Sequence, residues 1–362
     1  MSHQINYFNM KIVRFISLFF VFISVFGSCS TDVDMYADYK DTSIVYAMLD
    51  SNADTNFVKI TRAFCGTNDN PINANEVALI YDSSNYEGKL EARLVEYEST
   101  YDNHFKPTQR ELILDTMTFH DKESGVFYSP DQIVYYTVEP LRNGSSRHRI
   151  KYKLFAVKPN GDTVTAFTTM VGSEDFSIIS GSANFQIAPT EAKGRVVFRA
   201  DGVASVYEIT MQFNYREQHS GQEMQYKKVS RSFGTKPLMS YPKVENTDNV
   251  YYEEYSLNWL FYALANAIGN DTVVNSNHPN VVRYADDFVV TISAAGDELY
   301  YYYLANEAQE SSFGGSLFTA YSNIDGGYGL FSSRTIVKKT PKLSSTAQRD
   351  LYGKESWGFK QE

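Results

Sequence analysis

Recognisable catalytic signatures are lacking from this 362-residue sequence. It contains no G-x-S-x-G nucleophile elbow, no H-E-x-x-H zinc motif, no P-loop and no dinucleotide-binding fingerprint. Asp286 and Asp287 open a predicted strand and could pair with another acid for glycosidase chemistry, but a surface turn is favoured, because sequence neighbours on a strand point to opposite faces. The sequence therefore predicts a non-enzymatic protein with no cofactor and no metal site.

Basic charge is also scarce. The chain has 33 Lys and Arg against 43 Asp and Glu, which gives a formal net charge of −10. Duplex binding depends on basic side chains that neutralise phosphates, so this balance argues against a nucleic-acid partner. It equally argues against adsorption to an anionic lipid surface, because like charges repel.

Long apolar runs are limited to one, from Phe15 to Phe26. A helix needs about 20 apolar residues to cross a bilayer, so this run is too short to span. It follows the basic residues Lys11 and Arg14 and precedes Gly27-Ser28-Cys29, an order typical of a lipoprotein secretory signal. We predict a cleaved signal peptide over residues 1–28, with Met10 as the true start. Cleavage elsewhere and an uncleaved anchor are the alternatives.

Cysteine is the next scarcity, with two residues in the chain. The signal predicts that Cys29 is lipidated and leads a tether over residues 29–40, so Cys65 is left without a disulfide partner. Asp32 and Asp34 resemble the acidic export tag of Bacteroidetes surface lipoproteins; a simple solvated tether is the alternative. These features predict an outer-membrane lipoprotein, held by its lipid and facing the cell surface or the periplasm.

Aromatic residues are abundant instead, with 28 Tyr and 24 Phe. They favour half-buried strands. The fold class we predict is mainly β: two β-sandwich-like domains, of which the first, residues 41–172, is immunoglobulin- or fibronectin-like. The second β-rich domain covers 173–340 and contains one or two helices, and 341–362 is a polar C-terminal tail. The predicted strands include Thr42–Leu49, Asn56–Phe64, Lys89–Glu98, Ile150–Val157, Thr163–Thr169, Val203–Tyr215 and Gln225–Phe233.

One helix is predicted near 256–269, where Ser256 would cap an apolar run with helical periodicity. The phase of Tyr300, Tyr301, Tyr302 and Tyr303 does not decide between a strand and a second helix that begins at Asp297. A second tyrosine cluster comprises Tyr251 and Tyr252. Both clusters are candidate binding surfaces, since rigid aromatic side chains give contact area at low entropic cost. Burial in the core or on a sheet face is the alternative.

The segment Ser322–Phe331 reads Ser-Asn-Ile-Asp-Gly-Gly-Tyr-Gly-Leu-Phe. Physically, Gly326, Gly327 and Gly329 permit positive φ and close backbone approach, next to Asn323. With the signal, the first hairpin and the late helix, this motif resembles uncharacterised Bacteroidetes lipoproteins of unknown function. The resemblance spans most of the mature chain and implies an outer-membrane transporter of the TonB-dependent type as a partner. It implies no catalytic residue.

Three functional hypotheses remain open. The first is an anchored envelope lipoprotein that binds a ligand or a protein partner, as an accessory to uptake. The second is a structural or assembly component of an envelope complex, and the third is a hydrolase with an unrecognised site. The sequence does not identify the ligand.

Overall fold

The computed structural model describes residues 41–63, 78–80, 84–99, 104–125, 128, 131–145, 148–180, 192–268, 281–310 and 321–361. The strands in these ranges are β1 Ser43–Leu49, β2 Asn56–Arg62, β3 Glu91–Ser99, β4 Phe105–Ile113, β5 Asp115–Phe119, β6 Gln132–Thr137, β7 Ile150–Val157, β8 Thr163–Thr169, β9 Ser177–Ile178, β10 Lys193–Arg199, β11 Val206–His219, β12 Gln225–Pro237, β13 Val250–Ser256, β14 Val281–Ala295, β15 Ile324–Asp325, β16 Gly327–Lys339 and β17 Phe359–Lys360. The α-helices are α1 Trp259–Ile268, α2 Asp297–Glu310 and α3 Ser345–Gly353.

The first part of the chain forms a two-sheet sandwich. One sheet has the order β15-β8-β7-β3-β4, and the facing one contains β16-β1-β2-β6-β5. Alternation explains the layers: in β7 every second side chain, from Ile150 to Ala156, is buried. Val45, Leu94 and Phe331 belong to the shared core between the sheets. The prediction of a mainly β protein with β-sandwich-like units is thus confirmed.

The second part is built on a sheet with the order β12-β11-β14-β16, in which β17 pairs with β14 in parallel. The small sheet β13-β10-β9 and helices α1 and α3 contribute to the same hydrophobic cluster as the inner face of this large sheet. Phe198, Phe213, Ile292, Trp259 and Leu351 represent these elements in that core.

Strand β16 belongs to both parts. Gly327–Ser333 pairs with β1 in parallel, and Arg334–Lys339 pairs with β14 in antiparallel orientation. Ile324 and Phe331 therefore lie in the core of the first sandwich, although sequence position assigned them to the second domain. Pairing between residues so distant in the chain leaves no local signal in the sequence.

The helices depart from expectation at two points and decide a third that the sequence left open. Helix α1 begins at Trp259 instead of directly after Ser256, because Ser256 ends β13 and its hydroxyl donates to Asn258 Oδ1 at 2.5 Å. The tyrosines 300–303 lie on a helix, α2. Helix α3 lies in the segment 341–362, which was predicted to be a polar tail; Leu351, Trp357 and Phe359 are buried there, so that prediction is wrong. Scattered single apolar residues concealed this packed segment.

Candidate functional site

The outer face of the first sandwich is the candidate site; we define it as the side of strands β16, β1, β2, β6 and β5 that points away from the shared core. Strand register places Tyr46 of β1 opposite Lys59 of β2, and Phe57 lies two residues from Lys59 on the same face. The intervening residues Val45 and Val58 point inward and are buried. Alternation therefore forces these two rings outward.

Both rings remain open to solvent, since Tyr46 is 46% exposed and Phe57 is 39% exposed. They line a surface depression of about 400 Å³, together with Lys59, Asp50 and Arg334. Contiguous exposed apolar surface is uncommon on soluble proteins and marks interaction sites. The depression combines ring faces with charged groups of both signs.

Lys59 is the unusual charge in this depression. Its Nζ donates to the amide oxygen Oε1 of Gln132, and within the described part of the chain it forms no salt bridge. Burial lowers the pKa of Lys59, and the positive charge of Lys122 lowers it further. An anion placed beside the amine would oppose both effects.

The aromatic surface continues to the edge of the sheet. The rings of Phe57 and Phe119 meet edge to face with centroids 5.8 Å apart, and Met117 points the same way from β5. Met117 and Phe119 are each 37% exposed. The exposed aromatic surface therefore continues from Phe57 on β2 to Phe119 on β5.

Helix α2 borders the other side of the outer face. Tyr302 hydrogen-bonds the Tyr46 hydroxyl, and burial, followed by this bond, raises the pKa of Tyr46. Tyr301 stacks at a tilt between Tyr300 and Tyr321, with centroid distances of 5.6 and 5.8 Å. The predicted cluster at 300–303 thus lies beside the candidate site, and Tyr301 and Tyr303 are exposed.

The second predicted cluster lies elsewhere. Tyr251 packs its ring against the buried Phe198, with centroids 6.2 Å apart, and Tyr252 lies under the Arg195 guanidinium at 4.2 Å. Both residues are on β13 of the small sheet, so the structure places them away from the strands of the outer face.

Glu298 fixes helix α2 to the sheets. Its Oε2 accepts hydrogen bonds from Thr168 Oγ1 on β8 at 3.3 Å and from Ser332 Oγ on β16 at 3.2 Å. Burial raises the pKa of Glu298 above its ordinary value. The carboxyl group therefore joins three elements at one point and holds the tyrosines of α2 next to β1.

The glycine motif positions β16 against β1. Gly326 and Gly329 have positive φ angles of 79° and 123°. A Cβ atom on Gly327 would lie 2.5 Å from the carbonyl oxygen of Ser43, so glycine is needed for the close approach. The Asn323 side chain accepts from the Phe331 N–H at 3.0 Å and donates to its carbonyl at 2.7 Å, as a neighbouring strand would.

Two buried carboxylates were missed by sequence reasoning. Glu96 is fully buried; burial alone would raise its pKa, but Tyr152 and Arg142 lower it. Glu217 binds Arg283 Nε at 2.6 Å, and both side chains are buried. Isolated charges in alternating strands carried no signal of this pairing, and each group is satisfied by its partners.

Asp286 and Asp287 do not follow simple alternation. Between the pairs Phe213–Phe288 and Tyr215–Ala285, one residue of β11 faces two of β14. This bulge brings both acids to one surface depression, so the expectation of opposite faces is wrong. Arg216 Nε lies 2.8 Å from Asp286 Oδ1, which makes this acid part of a salt bridge.

The predicted lipidation site Cys29 and the acidic residues Asp32 and Asp34 lie outside the described residues. In the described ranges there is no group of three or more His, Cys, Asp or Glu side chains arranged to hold a metal ion. None of the helices in those ranges has the length and apolar character that a membrane-spanning helix requires.

Comparisons with known proteins leave the family open. No family model matches the chain, and no curated protein matches it. Among solved structures, it is similar to a tetra-tandem repeat in the extending region of a large adhesion protein, with 8% identity over 84% of this chain and 75% of that one. The TM-score is 0.17, which is too low to support an argument about fold or function.

Proposed function

We propose that this protein is a lipid-anchored, non-enzymatic envelope protein that binds a ligand or protein partner through the outer face of its first sandwich. One observation carries the proposal: Tyr46 and Phe57 expose their rings on a sheet whose opposite side is a packed core. Exposed rings in a contiguous surface are unfavourable in water, and a partner that covers them removes this free-energy cost.

The predicted anchor would keep this face near a membrane. Strand β1 begins at Ser43, 14 residues after Cys29. At about 3.5 Å per extended residue, such a tether reaches no further than roughly 50 Å. We therefore propose a partner in the same envelope, and the resemblance to Bacteroidetes lipoproteins makes an outer-membrane transporter the first candidate.

The anchor is tested by a Cys29→Ser substitution with fatty-acid labelling and membrane fractionation. We expect the variant to lose the label and to leave the membrane fraction, because a bacterial lipoprotein is held by its acyl chains. A Cys65→Ser variant should behave as the unchanged protein. Membrane retention of unlabelled Cys29→Ser would refute the anchor.

The binding face is tested by photo-crosslinking in intact cells. A photoreactive residue replaces Phe57 on the outer face or, as a control, Tyr226, which is 83% exposed on β12. We expect a defined crosslink from position 57 that Tyr46→Ala weakens, and none from position 226. Equal or absent crosslinking at both positions would contradict the proposed face.

A second function, an assembly component of an envelope complex, is favoured by one observation. The outer face runs to β5, which among the described strands is the last of its sheet and carries the exposed Phe119. A free edge beside apolar side chains suits a permanently bound subunit. Native purification separates the two functions: a stoichiometric complex that persists without added ligand supports assembly.

A further inference from the structure

The side chain of Lys59 lies beside two exposed rings, and its amine reaches Gln132 Oε1 on β6. Tyr46 is the direct neighbour of Lys59 across the strand pair, and Phe57 is two residues away on the same side of β2. Opposed Cβ atoms on paired strands are about 5 Å apart, so a small ligand can contact the Lys59 and Tyr46 side chains together. All three side chains line the same depression.

The depression favours an anion. The Lys59 amine has an amide oxygen as its hydrogen-bond partner and no carboxylate partner in the described ranges. Lys122 adds a second positive charge, and Arg334 lies on the rim, with its Nε 4.0 Å from Asp50 Oδ2. The chain as a whole is acidic, with a net charge of −10, whereas the lining of the depression has two bases, Lys59 and Arg334, and one acid, Asp50.

The strand pairing beneath the depression argues against recognition by β-strand addition. Strand β1 is paired on both sides, with β16 and with β2, and β2 is also paired with β6 over Asn56–Val58. A peptide therefore cannot add as another strand at Tyr46, where the backbone is already paired on both sides, or at Phe57, which lies inside the sheet between β1 and β6. A ligand has to lie on the face and use ring contacts, in which its C–H edges meet the negative faces of Tyr46 and Phe57.

We propose that the Tyr46–Lys59–Phe57 depression binds a carboxylate carried on a ring. The carboxylate pairs with Lys59 Nζ, and the ring lies against Tyr46 and Phe57. An aromatic acid and a uronic acid residue of a polysaccharide share this chemistry. The inference deepens the proposed function and rests on it, since it assumes that the outer face is a binding surface.

Calorimetric titration of the detergent-solubilised full-length protein tests the ligand class. The probes are phenylacetate against phenylacetamide, and trigalacturonate against its methyl ester, so each pair keeps its ring and replaces the carboxylate by a neutral group. We expect the acid of at least one pair to bind about tenfold more tightly, because a charge-assisted hydrogen bond in a half-buried site is stronger than a neutral one. The pair that shows the difference identifies the source. Equal affinity within both pairs would overturn the inference.

Variants locate the effect. Lys59→Met keeps the apolar stem and should abolish the preference for the acid, whereas Lys59→Arg should keep it. Lys228→Met on β12, an exposed lysine far along the other sheet edge, is the matched control and should change nothing. An unchanged acid preference in Lys59→Met would refute the role of this amine.

The two proposals fail in different ways. If Tyr46→Ala weakens the crosslink from position 57 while the acid and neutral probes bind equally, the ligand class is wrong and the binding face stands. If a protein is crosslinked at position 57 and neither acid probe binds, the occupant is a protein partner and the inference is overturned. If position 57 gives no crosslink and no probe binds, both proposals fail.

Discussion

At the scale of single residues, Gly329 decides whether two distant strands can meet. It pairs with Val45 across the parallel strands β1 and β16, and its φ is 123°. A Cβ atom placed on it would lie 1.9 Å from the Val45 carbonyl oxygen. Strand β1 is fixed on its other side, where Val45 pairs with Ile60 of β2, so it cannot move away from the added methyl group.

We expect Gly329→Ala to lower the free energy of unfolding by about 3 kcal/mol or more, since it combines a backbone clash with a disfavoured φ. Urea unfolding measures the change. The control is Gly161→Ala, which also has positive φ but nothing within 4 Å of the added methyl, and it should cost about 1 kcal/mol. Equal losses in the two variants would show that φ alone matters.

At the scale of elements, a buried ion pair attaches the C-terminal segment to the large sheet. Arg283 of β14 binds Glu217 of β11 at 2.6 Å and donates to the Trp357 carbonyl at 2.9 Å. Burial alone would raise the pKa of Glu217, but hydrogen bonds from Lys227, His219 and Arg283 lower it to about 2. The carboxylate is therefore charged whenever the protein is folded near neutral pH.

We expect Glu217→Gln to lower the free energy of unfolding at pH 7 by about 3–5 kcal/mol, because it leaves Arg283 buried without its counter-charge. The carboxylate has a lower pKa in the folded chain than the ordinary value of about 4.3, so it stabilises above that value. Its contribution is lost as the pH falls towards about 2. Urea unfolding at pH 7 and at pH 3 should show a smaller gap between variant and parent at pH 3.

Glu223→Gln is the matched control for this pair. Glu223 is exposed in the turn between β11 and β12, so its substitution should leave unfolding unchanged at both pH values. A gap for Glu217→Gln that does not narrow on acidification would contradict the pKa direction of Glu217.

The sequence predicts elements better than it predicts their neighbours. Alternation located Ile150–Val157 and Thr163–Thr169 as they are in the structure, and periodicity located α1 within two residues of its start. The pairing of β1 with β16 was not predictable, because it joins residues far apart in the chain. The same holds for Lys59, whose position opposite Tyr46 depends on register across strands.

At the scale of the whole molecule, the first sandwich is incomplete without residues from near the C-terminus. Ile324 and Phe331 are buried in its core, and β16 pairs with β1 along seven residues. Burying one such side chain contributes about 1.5–3 kcal/mol. The two parts of the chain are therefore joined by a shared strand, in addition to the peptide that connects them.

We expect a fragment that spans residues 41–172 to lack a cooperative unfolding transition when followed by circular dichroism. A synthetic peptide of residues 321–340 should restore the transition by supplying β15 and β16. The same peptide with Gly329→Ala is the control and should fail. A cooperative transition in the fragment alone would show that the sandwich closes without β16.

The pairing of β16 with β1 also determines when the first sandwich can fold during synthesis. The ribosome must synthesise most of the chain before β1 can pair with β16. Strand β1 is made early and therefore completes its sheet late. The export that we propose for this protein would benefit from this delay, because translocation requires an unfolded substrate. A nonsense codon upstream of residue 324 removes β15 and β16. We therefore expect the first sandwich to fail to fold along with the truncated second part, although all its other strands have been synthesised.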